Sequence, residues 1–120
     1  MYSEIVQRIL ADPAHIGELE GATHKGVAGA PGDGPYLILW LQIEGDTILC
    51  ASFKTFGCPS AVASGSMTAT LVTGRTVEKA ALLTTEDLLR VLGGLPPGKE
   101  YTADLAIQAL QNALQGRERT

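Results

Sequence analysis

The segment that most constrains the fold is "YLILWLQI", residues 36–43, which carries apolar side chains at almost every position. Such a run predicts a β-strand, and apolar residues on both of its faces predict a central strand that is covered on both sides. A tight turn at "EGD" joins it to "TILCASFKTF", which has the composition of a second strand. The sequence therefore predicts a β-hairpin at the centre of the fold.

Helical patterns surround this hairpin, and most of them follow it, which is typical of the α+β class. Before the hairpin, residues 17–35 contain six glycines and two prolines, so we expect a long loop with room for one short strand. Four helices are predicted from apolar stripes and from residues typical of helix ends. They are 3–12 with Ser3 as N-cap, 59–73 followed by Gly74, 84–94 with Thr84 and Asp87 spaced as a capping box and Gly93 as its stop, and a closing helix from Thr102.

Length and charge limit the classes of protein to be considered. The chain of 120 residues fits a single domain, 1–120. Its net charge of -4 and its scattered basic residues argue against nucleic acid as a partner. The longest apolar run, Tyr36 to Leu41, is too short to cross a membrane, and the N-terminus lacks the basic segment of a signal peptide. We therefore expect a cytoplasmic protein whose two cysteines stay reduced.

Cys58 is the residue best placed for chemistry. If a helix begins at Pro59, the favoured first position for proline, then Cys58 is its N-cap. The helix dipole and the unpaired N–H groups there favour a thiolate, the form that acts as a nucleophile or a metal ligand. The alternative is that Cys58 is only a small side chain at a helix start. Cys50 falls in the middle of a predicted strand and is expected to be structural.

Other catalytic patterns are missing from the sequence. His15 and His24 are too far apart for a helical pair and have no second cysteine nearby, so the ligand count argues against zinc. A thiol enzyme would need a histidine beside Cys58, and no pattern in the sequence brings His24 there. The glycines before residue 35 do not match a phosphate-binding loop. The residues alone thus leave Cys58 as the one candidate.

Four segments in the same order resemble the NifU N-terminal and IscU-type iron-sulfur cluster assembly scaffolds. They are "FKTFGCPSAVASGSM", the glycine-rich "GVAGAPGDG", the inter-helix "GRTVEKA" and "GGLPPGKEYTADLAIQAL". The resemblance covers nearly the whole chain. It implies an α+β fold of the SufE/NifU type, with a small antiparallel sheet, expected to have three strands, packed against helices.

The resemblance also implies a function. Members of this family assemble a nascent [2Fe-2S] cluster, take sulfur from a cysteine desulfurase and pass the cluster to acceptor apoproteins, so they are scaffolds rather than enzymes. In some systems an Hsp70-type chaperone binds a Leu-Pro-Pro-x-Lys stretch, here Leu95, Pro96, Pro97, Gly98 and Lys99. Gly98 stands where the family usually has an aliphatic residue. A rigid turn before the last helix is therefore an equal alternative for this stretch.

The chain departs from the family pattern at its ligand positions. The family has three cysteines, and only the central one is kept, as Cys58. In the first loop Asp33 stands either at a cysteine position or, with a shift of one residue, at the family's aspartate. The His-Cys pair before the last helix is replaced by Tyr101 and Thr102, which we interpret as a packing aromatic and a helix N-cap.

These residues lead to one leading hypothesis and one alternative. The leading hypothesis is a scaffold-type protein that binds iron, a [2Fe-2S] cluster or persulfide sulfur through Cys58, with Asp33 as a second, weaker ligand or a residue that tunes release. Soft thiolates select such clusters, so one Cys with one Asp is a weak ligand set, and two subunits of a homodimer could share a cluster through paired Cys58 thiolates. The alternative is a binding module without a cofactor that docks on a cysteine desulfurase, or on another assembly factor, and regulates it.

Overall fold

The computed structural model describes residues 2–115, and it has the α+β architecture that the sequence predicted. One helix and one strand precede the hairpin, and four helices follow it. The elements are α1 (Glu4–Ala11), β1 (His24–Gly29), β2 (Tyr36–Glu44), β3 (Thr47–Phe56), α2 (Pro59–Val72), α3 (Val77–Ala80), α4 (Thr85–Leu92) and α5 (Tyr101–Leu114).

The three strands form one antiparallel sheet in the order β1-β2-β3, so β2 is central as predicted. Leu39 of β2 pairs with Gly26 of β1 and with Phe53 of β3, and all three lie on one face. Gly26 of that face lies against α5 and Phe53 against α2. The two helices that pack on the sheet, α2 and α5, therefore share one side of it, so the expected cover on the second side of β2 does not come from them.

The other face of the sheet is also apolar. Trp40 is buried there, and Ile38 is half-buried. Tyr36 and Phe56 stack at the end of this face, with ring centroids 6.2 Å apart. Side chains of neighbouring strands thus shield one another, which explains why β2 reads as apolar on both faces.

Helix α2 is the centre of the packing. It contacts β3 and α5 and also α1 and α4. Its buried residues are small, which lets four neighbours approach one helix. They are Ser60, Ala61, Ala63, Ser64, Gly65, Ser66, Thr68, Ala69 and Val72.

Helix ends follow the sequence signals closely. Ser3 caps α1 by accepting a hydrogen bond from the N–H of Val6, and Thr84 and Asp87 form the predicted capping box of α4. The short helix α3 was not predicted. Helix α5 begins one residue earlier than expected and its N-cap is Glu100, so the N-cap assignment of Thr102 is wrong.

The two cysteines are free thiols, as expected. Cys50 lies in β3, but its side chain is exposed, so it is not the buried structural thiol that we predicted. Among residues 2–115, no helix combines the length and the apolar character needed to cross a membrane.

Replacement of Gly65 by Ala tests the packing of α2. A Cβ at this position would lie 2.7 Å from Cε2 of Phe53 and closer still to Cδ2, so the ring must move. Without that contact the change would stabilise the helix by about 1 kcal/mol. We expect Gly65→Ala instead to lower the free energy of unfolding by about 1–3 kcal/mol, as overpacking does, in urea denaturation.

The control is Thr70→Ala, at an exposed position of the same helix, where we expect a change within about 0.5 kcal/mol. A Gly65→Ala protein as stable as wild type or more stable would contradict the close contact.

Candidate functional site

Cys58 is the N-cap of α2 and follows the end of β3 after a single glycine. Pro59 stands at the start of the helix, as predicted, and the Cys58 backbone is extended with φ −90° and ψ 173°. The Cys58 carbonyl accepts hydrogen bonds from the N–H groups of Ala61 and Val62, at 2.9 Å and 3.4 Å. The half-buried thiol is thereby fixed at the positive end of the helix.

The surroundings of Cys58 favour its ionised form. Desolvation by partial burial raises the pKa of the Cys58 thiol. Four groups lower the pKa instead: the backbone N–H groups of Ala61 and Ser60, the Ser60 side chain and the positive charge of Lys99. Together they outweigh desolvation, so the pKa of Cys58 lies below its ordinary value. The thiol makes no capping hydrogen bond, so the N–H groups act as dipoles directed at the sulfur.

Lys99 belongs to a turn that immediately precedes α5. The N–H of Lys99 donates to the carbonyl of Pro96 at 3.0 Å, and Gly98 has a φ of +87°, as in a type II turn with Pro97 at its second position. Leu95 is half-buried against the core, while Pro97 is exposed. The stretch that the family resemblance singled out is therefore a turn with its first residue anchored in the core.

Thr102 anchors the end of this turn. Its hydroxyl donates to the carbonyl of Lys99 at 2.8 Å, and its N–H donates to the same carbonyl at 3.1 Å. The Thr102 side chain is buried and lies 3.4 Å from the hydroxyl of Ser64 on α2. Tyr101, in contrast, is 44% exposed and is not the packing aromatic that we expected. Thr102 thus joins the turn to the helix that carries Cys58.

Asp33 lies in the glycine-rich loop between β1 and β2 and is exposed. Its N–H donates to the carbonyl of Ala30 at 2.9 Å. Gly32 and Gly34 on either side of it line a cavity of about 210 Å³ together with Tyr36 and Phe56. Since Phe56 ends the strand that leads to Cys58, the loop and the thiol lie at the same end of the sheet.

The residues present do not fit a metal ion or a cluster held by one chain. Within residues 2–115, no three His, Cys, Asp or Glu side chains lie close enough together to hold a metal ion. An iron-sulfur cluster is held by four ligands, most of them thiolates, and the site offers one. The pairing of Asp33 with Cys58 as ligands stays a prediction.

Two contributors to the site were not assigned to it from the sequence. Lys99 was named only as part of a partner-binding stretch, and Ser60 was not named. No local pattern places the charge of Lys99 near a cysteine 41 positions away, since that approach depends on the packing of α5 on α2. For Ser60 a signal was available, because a serine just inside a helix that follows a cysteine lies near its thiol.

Known proteins resemble this chain over nearly its full length. Residues 1–119 match the family described as the NifU-like N terminal domain. The iron-sulfur cluster assembly scaffold protein IscU 1 of Archaeoglobus fulgidus is 33% identical over 114 residues, which cover 95% of this chain and 74% of that protein. The scaffold protein IscU of Aquifex aeolicus is 36% identical over 116 residues, with the same coverage of 95% and 74%.

Solved structures share the fold. A protein from Fervidobacterium islandicum AW-1, described as a putative iron-sulfur cluster assembly scaffold for the SUF system, superposes with a TM-score of 0.74. The alignment covers 94% of this chain and 96% of that one at 20% identity. An N-terminal NifU-like protein of Brucella abortus gives a TM-score of 0.71 at 16% identity, covering 95% and 92%. At these identities the likeness concerns the fold alone.

The effect of Lys99 on the thiol can be measured directly. Lys99→Gln removes a positive charge that favours the Cys58 thiolate, so we expect the pKa of Cys58 to rise. The pH profile of iodoacetamide alkylation, followed in a Cys50→Ser background, should then shift to higher pH. Lys79→Gln, at an exposed position of α3, is the matched control and should leave the profile unchanged. An unshifted profile in Lys99→Gln would show that its charge does not reach the sulfur.

Proposed function

The chain belongs to the NifU-like N-terminal domain family, as its motifs predicted, and from this membership we propose that it serves iron-sulfur cluster assembly as a scaffold-type protein. Relatives at 33% and 36% identity carry that function in their names. The single observation that carries the finer proposal is the Cys58 thiol at the start of α2, with its pKa lowered by backbone N–H groups and Lys99. We assign to it the acceptance of sulfur.

The proposed step is a transfer of sulfane sulfur. The donor is a cysteine desulfurase that carries a persulfide on its own cysteine. The Cys58 thiolate attacks the outer sulfur of that persulfide, a new S–S bond forms on Cys58, and the donor cysteine leaves as a thiolate with the electron pair of the broken S–S bond. The transfer is redox-neutral and needs no further reactant. A lowered thiol pKa supplies the attacking thiolate near neutral pH.

Iron and the cluster are cargo in this proposal. The site provides one thiolate, Cys58, and sulfur can be held on it without the full ligand set that a cluster requires. Asp33 is proposed as the second, weaker ligand when iron is delivered, or as a residue that tunes release. A second copy of the chain would have to add its own Cys58 before a cluster could be shared.

The remaining parts of the proposal concern partners and place. Sulfur comes from a cysteine desulfurase, and acceptor apoproteins receive what is assembled. The turn Leu95, Pro96, Pro97 and Lys99 is proposed as a partner-binding element for an Hsp70-type chaperone, with exposed Pro97 at its tip. The protein passes on sulfur in stoichiometric amounts, as a scaffold rather than an enzyme, and we propose that it does so in the cytoplasm.

Sulfur acceptance is tested with a cysteine desulfurase and L-cysteine. We expect wild type and Cys50→Ser to gain one sulfur atom on the peptide that contains Cys58, and Cys58→Ser to gain none, as read by mass spectrometry. Cys50→Ser is the matched control because Cys50 is the exposed second thiol of the chain. Sulfur uptake in Cys58→Ser equal to that of wild type would refute the role of Cys58.

A second candidate function is favoured by the incomplete ligand set. In it the protein holds no cofactor and docks on a cysteine desulfurase, or on another assembly factor, to regulate it. Docking needs a folded surface but no reactive thiol. The two candidates therefore differ in what they require of Cys58.

One measurement tests for a bound cluster, and a second separates the two candidates. After anaerobic incubation with ferrous iron and sulfide we expect the isolated wild-type chain to stay without stoichiometric iron, because its ligands do not cluster. Charge-transfer absorption bands that appear in wild type and are absent in Cys58→Ser would instead establish a cluster held through Cys58. If Cys58→Ser alters the turnover of a bound cysteine desulfurase as wild type does, docking is the function. If the effect on turnover is lost in Cys58→Ser, sulfur acceptance is the function.

A further inference from the structure

Two buried hydroxyls in residues 2–115 have no hydrogen-bond partner, and they belong to Ser52 and Ser60. The Ser60 side chain is fully buried, with 0% of its surface exposed. A buried hydroxyl without a partner loses its hydrogen bonds to water and gains none in return, which destabilises the fold. Such a group needs an explanation, and the usual ones are an absent partner or a functional role.

The position of Ser60 indicates which partner is absent. Ser60 is the second residue of α2, two positions after Cys58, and its side chain lies beside the Cys58 sulfur. The Ser60 hydroxyl makes no hydrogen bond in the structure, yet it is close enough to the sulfur to help lower the pKa of Cys58. A thiol sulfur is a weak acceptor, whereas hydrogen bonds to an ionised acceptor are about twice as strong. The hydroxyl is therefore close to an atom that becomes a good acceptor only when it is charged.

We propose that Ser60 is the hydrogen-bond donor to Sγ of Cys58 whenever this sulfur carries negative charge during sulfur transfer. This inference rests on the proposed function, in which Cys58 accepts sulfur and later gives it up. Burial holds the donor next to the sulfur before the charge develops.

The sulfur of Cys58 is charged at two points of the process. Before acceptance it is the attacking thiolate. On release, the thiolate of an acceptor attacks the outer sulfur of the Cys58 persulfide and a new S–S bond forms on the acceptor. The bond between that outer sulfur and Sγ breaks, and Sγ leaves with the electron pair. Ser60 then donates its hydrogen bond to the leaving thiolate, and a better-stabilised leaving thiolate departs faster.

Ser52 provides a matched comparison within the same chain. It is also a serine, it is 93% buried, since 7% of it is exposed, and its hydroxyl also has no partner. It lies in β3 and lines a different cavity, of about 350 Å³, next to Cys50. Replacing either serine by alanine removes an unpaired buried hydroxyl of the same size. Only Ser60 lies beside Cys58.

The experiment measures release from protein that is already loaded. In a Cys50→Ser background, each variant is charged to completion with cysteine hydropersulfide, desalted and mixed with excess N-acetylcysteine. The loss of one sulfur atom from the Cys58 peptide is followed by mass spectrometry. We expect Ser60→Ala to release sulfur about tenfold more slowly than the parent, the effect of one hydrogen bond to a charged atom. Ser52→Ala should release it at the parent rate.

Ser60→Thr keeps the hydroxyl and should restore fast release, which a merely structural role of Ser60 would not require. Thermal unfolding checks that the Ser60→Ala and Ser52→Ala proteins are folded alike. Equal release rates for Ser60→Ala and the parent would overturn the inference and leave sulfur acceptance at Cys58 intact. So would slow release in Ser52→Ala, or release from Ser60→Thr as slow as from Ser60→Ala. Failure of the parent to load sulfur at all would overturn the proposed function together with this inference.

Discussion

The burial of α2 over most of its surface is the constraint on which the rest of the structure depends. The helix touches β3, α5, α1 and α4, and it can do so only because its buried residues are small. At Gly65 the ring of Phe53 occupies the space that a Cβ would need. The same packing fixes the N-terminus of α2 against the end of the sheet. Cys58 owes its fixed position to a core feature that has no chemistry of its own.

Local signals in the sequence were sufficient for the elements and for the main candidate residue. Ser3, Thr84 and Asp87 act within one helical turn of their own positions, so their caps were predictable. The N-cap role of Cys58 followed in the same way from the proline after it. These interactions involve neighbours in the chain, and no knowledge of the tertiary fold was needed to find them.

The errors concern contacts between distant segments. Thr102 was expected to cap α5, but it is buried against α2, where its hydroxyl holds the turn before α5 instead. Cys50 was expected to be structural, and the alternation of β3 turns it outward on the face away from α2 and α5. The approach of Lys99 to Cys58 also depends on how α5 packs on α2. The local sequence around each of these residues is compatible with several tertiary environments, and only the packing of the helices and strands determines which one forms.

The turn that ends at Lys99 links the start of α5 to the thiol of Cys58. The Lys99 carbonyl accepts hydrogen bonds from Thr102, and the Lys99 N–H donates to the carbonyl of Pro96, so the backbone of the turn is held at both ends. Loss of the Lys99 charge, or displacement of the turn away from α2, would raise the pKa of Cys58. The position of the turn and the fraction of Cys58 that is thiolate are therefore linked through the charge of Lys99.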